Sequence, residues 1–489
     1  MHVDEQRTHY RVTFAVLATA TIAYALLQSL VIPVLATIQA GLHTSQNSVT
    51  WVLTAYLLSA SIFTPIMGRL GDMFGKERML VIALIALAGG CVLAALTNSL
   101  AVMLVARVIQ GIGGGVLPLS FGLIRDEFPQ EKVAGAVGVI AALAAAGAGL
   151  GIVLAGPIVD ALNYHWLFWI PAIILALAAV TTHLVVPESR VRTPGRISWL
   201  AGALLSGWLV ALMLAVSEAP SWGWTSGKVV GLIVAAIVLS LAWVRVEVRS
   251  SQPLIDMKMM RIPTVWTTNL VALLLGIGMY AAFAFLPQYL ETPSTVGYGF
   301  GVTITQAGLI LLPSSVAMFI FGSVSGRLST RYGARALLIA GTAISVAPFL
   351  LLTVARAHEW EILIAMVLQG VGFGLAFAAM SSLVVQAVPA EQTGVASGMN
   401  ANIRTIGGSL GAAVMSSIVT SGAHPHGFPR DAGYTHGFLA LTVAAVAAAA
   451  AALLVPRLRT LKASAAADTM PHAELALVAA GTLAGNESE

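Results

Sequence analysis

The length of its apolar runs constrains this chain more than any other feature. A helix rises 1.5 Å per residue, so about 20 apolar residues cross the hydrocarbon core of a bilayer. Fourteen such runs can be read, at roughly 12–36, 49–69, 79–97, 101–124, 134–158, 164–186, 199–217, 228–245, 265–290, 306–326, 336–355, 361–387, 394–420 and 436–456. Within lipid, only helices and closed barrels satisfy every backbone polar group. A barrel would show segments of about ten alternating residues, whereas these runs are continuous, glycine-rich and joined by tight loops. Only 9% of the 489 residues are charged, against about 25% in a soluble domain. An all-α membrane protein with 14 transmembrane helices is therefore expected. The first run exceeds the 7–15 apolar residues of a signal peptide, so it is expected to remain as the first span.

The few charges set orientation. With the N-terminus placed inside, 20 of the 25 Lys and Arg fall in inner segments and three (Lys228, Arg356, Arg430) in outer ones, while Arg107 and Arg404 lie within spans. Positive charge accumulates on the cytoplasmic side, so both termini are expected there, with the chain threaded through the cell inner membrane. A net charge of +4 spread over short loops is not a nucleic-acid footprint. The one cysteine, Cys91, sits inside an apolar run and reads as a small core residue. No Ser–His–Asp set, metal cluster or phosphate loop is visible, so no enzyme, cofactor or metal site is expected.

The chain also repeats itself. "GRLGDMFGKER" at Gly68–Arg78 is echoed by "GRLSTRYGARA" at Gly326–Ala336, an offset of 258. "VIQGIGGG" at Val108–Gly115 returns as "VLQGVGFG" at Val367–Gly374, an offset of 259. Pro129 and Glu131 return as Pro389 and Glu391, an offset of 260. Three markers in one order at nearly one offset imply two related six-helix halves, 1–190 and 263–460. Two inserted helices with their flanking loops fill 191–262, and 461–489 reads as a disordered cytoplasmic tail. Paired halves around a central site suit a transporter, because rocking one half against the other alternates access.

These residues resemble the major facilitator superfamily over essentially the whole chain up to about residue 460. Gly68–Arg78 looks like its motif A between helices 2 and 3, and "RVIQGIGGG" from Arg107 looks like motif B in helix 4. "GAGLGIVLAGP" at Gly147–Pro157 with "WLFWIP" at Trp166–Pro171 looks like antiporter motif C, although Ile152 stands where the motif usually has proline. Two extra central helices resemble the fourteen-helix drug–proton antiporter branch. The resemblance implies a proton-coupled multidrug exporter acting on small hydrophobic substrates, with protons and membrane lipid as its other partners and the monomer as its working unit. An organic-anion or metabolite symporter is the alternative within transport, and a non-transporting receptor or scaffold the alternative outside it.

Roles follow by motif. The family pattern has Asp72, among Arg69, Lys76 and Arg78, hold the halves together near the start of the family's helix 11, here the run 394–420. A helix N-terminus is positive and attracts an acid. Gly71 and Gly75 permit a tight turn and close helix approach. Arg107 stands about six residues into its span, roughly 9 Å below the outer surface, and the resemblance assigns it to proton transfer, with Gln28 as a possible hydrogen-bond partner. Gly111, Gly147, Gly151 and Gly156, with Pro157, are read as helix-packing positions; with Gly149 between them, the glycines of the fifth run are spaced by two and five, which makes no single strict packing face. Asp160, Glu218 and Glu291 lie at outer helix ends and are the candidate proton carriers. No carboxylate falls deep within a span, which disfavours cationic substrates beside Arg107 and Arg404. Tyr24, Gln28, Tyr56, Gln110, Phe285, Tyr289, Asn400 and Arg404 are the candidate cavity residues, with Arg404 near the bilayer midplane.

Overall fold

A computed structural model describes residues 10–44, 46–189, 198–250, 253–389, 392–420 and 428–456. The tail expected at 461–489 lies outside them. Among the described residues, fourteen helices are long and apolar enough to span a membrane. They are α1 (Tyr10–Leu30), α2 (Trp51–Phe74), α3 (Lys76–Leu96), α4 (Leu100–Glu127), α5 (Gln130–Ala161), α6 (Trp166–Val185), α7 (Trp199–Trp222), α8 (Gly227–Arg249), α9 (Pro263–Glu291), α10 (Ile304–Tyr332), α11 (Ala334–Val354), α12 (Glu359–Ala387), α13 (Thr393–Thr420) and α14 (Asp431–Leu453). One apolar cluster gathers almost wholly from α1–α6 and their connections, and a second mainly from α9–α14. A third lays Leu205, Leu209 and Met213 of α7 against Ile62 of α2 and Met399 of α13. The inserted pair therefore covers a line where the two sets of helices meet.

Several ends differ from the sequence reading for local reasons. α1 stops at Leu30, and a short helix, Leu35–Gly41, follows Pro33, which has no N–H to continue the ladder. α2 runs on to Phe74, so most of the Gly68–Arg78 stretch is helical rather than loop. Its polar residues face other helices at the bundle end and do not break it. The turn is Gly75 alone, at φ 115°, a conformation that suits glycine. A Cβ there would collide with the Glu188 carboxylate, which accepts hydrogen bonds from the N–H groups of Glu77 (3.2 Å) and Arg78 (3.4 Å) at the start of α3. Gly71 is inside the helix, and a side chain there would strike Leu119 of α4.

Glycines also bring the two sets of helices together. On α5, a Cβ at Gly147 would lie 3.0 Å from Ala25, and one at Gly151 would lie 2.8 Å from the Leu26 carbonyl, both on α1. Gly149 and Gly156 instead abut Ser315 and Thr305 of α10. Reading successive spacings concealed this arrangement. Pairs four and seven apart each form a face, and the two faces serve two neighbours. Pro157 is exposed on the helix surface rather than packed. Gly111 abuts Ser59 and the backbone of Ala60 on α2.

Candidate functional site

A central cavity is bounded by both sets of helices. Tyr24, Gln28, Tyr280, Phe377, Asn400 and Arg404 are among its lining residues. Gln28 Nε2 of α1 donates to the Tyr280 hydroxyl of α9 at 3.3 Å, a bond across the two sets. Asn400 Nδ2 donates to Asn269 Oδ1 at 2.9 Å, tying α13 to α9. The Arg404 guanidinium carbon lies 5.1 Å from the centre of the Phe377 ring. The cavity volume is about 60 Å³, room for a few waters, so in this conformation the centre is contracted.

One end of the bundle is shut by backbone contact. A Cβ on Gly68 of α2 would lie 2.8 Å from the Gly394 carbonyl of α13, and one on Gly398 3.2 Å from that of Thr64. The Asp72 carboxylate is 1% exposed, and a Cβ on Gly394 would sit 3.3 Å from both of its oxygens. The acid therefore lies against the first turn of α13, where unpaired N–H groups and the helix dipole favour negative charge. Lys76, fully buried, stands 3.6 Å from Asp72 and donates to Asp126 of α4 at 2.6 Å. Arg125 reaches from α4 to the Val385 carbonyl of α12 and, at 2.8 Å, to Thr393 Oγ1 of α13. Arg69 is half-buried beside this group.

Arg107 belongs to a separate, fully enclosed nest. Its Nε donates to the Val52 carbonyl at 2.8 Å and Nη1 to Gln110 Oε1 at 2.8 Å, and its charge lies 4.7 Å from the Tyr56 ring centre. Gln28 is not its partner. Being 0% exposed, Arg107 does not snorkel to a headgroup. Gln110 is turned toward Cys91.

The other candidates are dispersed. Tyr56 and Gln110 complete the Arg107 nest instead of lining the cavity. Phe285 packs in the apolar cluster of the later helices, and Tyr289 stacks on Tyr298 and meets Tyr434 edge to face, with Arg356 over its ring. Asp160 is exposed and accepts from Thr305 Oγ1 at 3.0 Å, linking α5 to α10. Glu218 is half-buried and accepts from Ser221 at 3.0 Å, and Glu291 is the half-buried last residue of α9. None of the three lines the cavity. The lining residues Tyr280, Phe377 and Ser381 escaped sequence reading because aromatics and serines in an apolar helix look like packing. Only the rotation of α9 and α12 turns them inward.

Fourteen spanning helices, with two sets meeting around one cavity and packed tightly at one end, make the architecture of a secondary transporter. A family model for the Major Facilitator Superfamily matches residues 17–294 and again 269–483. The chain belongs to the major facilitator superfamily and is a multi-pass membrane transporter of small molecules, not an enzyme. It is 30% identical to the multidrug resistance protein Stp of Mycobacterium tuberculosis over 78% of this chain and 71% of that one. It is 28% identical to the multidrug transporter protein MdtP of Bacillus subtilis, over 77% and 69%. The tetracenomycin C resistance and export protein of Streptomyces glaucescens is 27% identical over 78% and 71%. Among solved structures, the human organic anion transporter MFSD10 (TETRAN) shares the fold at a TM-score of 0.66 and 16% identity, over 90% of this chain and 99% of that one.

Proposed function

We propose that this transporter exports hydrophobic small molecules from the cytoplasm in exchange for protons, working as a monomer in the inner membrane. Residues 1–190 and 263–460 are the two rocking halves, 191–262 is an inserted hairpin, and the end bearing Asp72 faces the cytoplasm with both termini. The observation that carries the reading is the contact of Asp72, Gly68 and Gly394 at that end. It shuts one mouth of a seam whose middle holds the cavity, as one state of alternating access requires. Relatives named for multidrug resistance and for export support the direction. Asp160, Glu218 and Glu291 are the carboxylates near the outer ends that exchange protons with water, and Arg107 is the buried cation that governs them.

The test is a resistance panel in an efflux-deficient bacterium expressing the chain, with and without a proton uncoupler. Several-fold resistance to hydrophobic antibiotics, lost on uncoupling, is expected. Resistance indifferent to the uncoupler would remove proton coupling, and sensitisation through uptake would favour the symporter alternative.

A further inference from the structure

We infer that the central cavity selects amphiphilic acids in their ionised form, and that Arg404 is the group that grips the acid. The inference rests on the transport reading above only in taking the cavity as the substrate site. Among the described lining residues Arg404 is the single charged side chain, and no carboxylate joins it.

Three other buried or half-buried arginines at helix contacts are already engaged, and half-buried Arg69 lies on the helix of Asp72, outside the cavity. Arg107 donates to Val52 and Gln110. Arg125 donates to Val385 and Thr393. Arg356 pairs with Asp431 at 2.7 Å and donates to the Leu352 carbonyl at 2.9 Å. Arg404 differs. One face of its guanidinium is turned to the Phe377 ring, and no acceptor among the described residues takes a hydrogen bond from it. A cation held at membrane depth without an anion is costly. The planar fork matches a carboxylate, or the oxygens of an enolate or sulfonate, in two parallel bonds.

The backbone that carries it is fixed. The Arg404 carbonyl abuts Gly276 of α9, where any Cβ would overlap it, and Gly408 takes the Tyr280 ring one turn further on. The guanidinium therefore projects from a tightly packed pair of helices, which lowers the entropy lost on gripping a ligand. Tyr280 accepts from Gln28 and keeps its own proton to donate to the same acid. Leu117, Phe121, Met279 and Phe377 offer apolar and aromatic surface for the body of the molecule. The volume of about 60 Å³ is too small for such a ligand, so binding requires the halves to part, and the measurement needs the whole protein in lipid.

Full-length protein in nanodiscs, with no gradient imposed, is titrated with three probes of one shape: pyrenebutyrate, its methyl ester, and pyrenebutylamine. Tryptophan-to-pyrene energy transfer reports binding, with empty nanodiscs as the baseline. Wild type is expected to bind the acid about tenfold to 100-fold more tightly than the ester, with the amine weakest. Arg404→Gln should lose the preference, binding acid and ester alike, and Arg404→Lys should retain part of it. Equal binding of acid and ester by wild type, tighter binding of the amine, or a preference that survives in Arg404→Gln overturns the assignment. Should Arg404→Gln fail to fold, the wild-type order of the three probes and the Arg404→Lys result decide. Because binding is read without flux, a failure of proton coupling or of export direction leaves this result standing, and the reverse holds too.

Discussion

The two copies of the repeated stretch share a shape and differ in charge. In each, two helices are joined by one glycine at positive φ, Gly75 at 115° and Gly333 at 84°. In each, the leading glycine meets the opposite set of helices. A Cβ on Gly68 would lie 2.8 Å from the Gly394 carbonyl, and one on Gly326 would lie 2.8 Å from Gly135 Cα. The side chains then part company. Asp72 is buried against α13, whereas Thr330 is exposed and donates to the Arg327 carbonyl of its own helix at 2.7 Å. Lys76 is buried between two acids, and Ala334 stands at its counterpart. Helix packing needs the glycines in both copies. The latch proposed for Asp72 needs an acid at a helix N-terminus in only one.

The acid is where the comparison breaks with the largest effect. Asp72→Asn removes the charge facing the first turn of α13, an interaction worth up to about 2 kcal/mol in a partly buried setting, or roughly a 30-fold shift between open and shut states. Export from proteoliposomes should fall more than tenfold while the protein stays in the membrane, and Thr330→Asn should change it less than twofold. Normal export by Asp72→Asn would reduce the first copy to a topology signal like the second. Arg107 sharpens the same contrast, because Met366 stands at its counterpart and is equally buried. Arg107→Met should abolish flux driven by an imposed pH gradient yet keep part of the downhill exchange. Full gradient-driven activity in this variant would detach Arg107 from coupling.

Much of the fold is legible because bilayer thickness leaves a helix few lengths to choose from. The fourteen apolar runs reappear as α1–α14, with ends shifted where polar residues continue a helix, as Arg69 and Asp72 do in α2. The offset of 258 to 260 residues marks the seam glycines without revealing what they touch. The cavity was harder to read. A polar residue in an apolar run signals either an open site or a neighbour in need of a partner, and sequence does not separate the two. Gln28 and Arg404 face the cavity, while Gln110 and Tyr56 face Arg107. Helix rotation decides, and it is set by glycine contacts between residues more than 100 positions apart, such as Gly147 with Ala25 and Gly276 with Arg404.

The smallest expected difference lies in the turn itself. Alanine at Gly75 or at Gly333 must adopt a backbone conformation that costs of order 1–3 kcal/mol for a residue with a Cβ. At Gly333 nothing else lies within 4 Å of the added atom, so Gly333→Ala should cost that strain alone. At Gly75 the added methyl also displaces the Glu188 carboxylate. That carboxylate accepts from the N–H groups of Glu77 and Arg78 and stands 3.9 Å from the Arg78 side chain. Arg78 is largely exposed, so its ion pair contributes little, and the loss falls on the bonds from the Glu77 and Arg78 N–H groups, about 1.5–3 kcal/mol each when intact, because the bond the carboxylate accepts from its neighbour Ser189 can move with it. The carboxylate is itself partly exposed and regains water, which returns part of that loss. Gly75→Ala should therefore be about 1–2 kcal/mol more destabilising than Gly333→Ala, read as a lower unfolding temperature of the purified protein. Equal shifts in the two variants would mean that Glu188 contributes nothing to the turn. The first copy would then differ from the second through Asp72 and Lys76 alone.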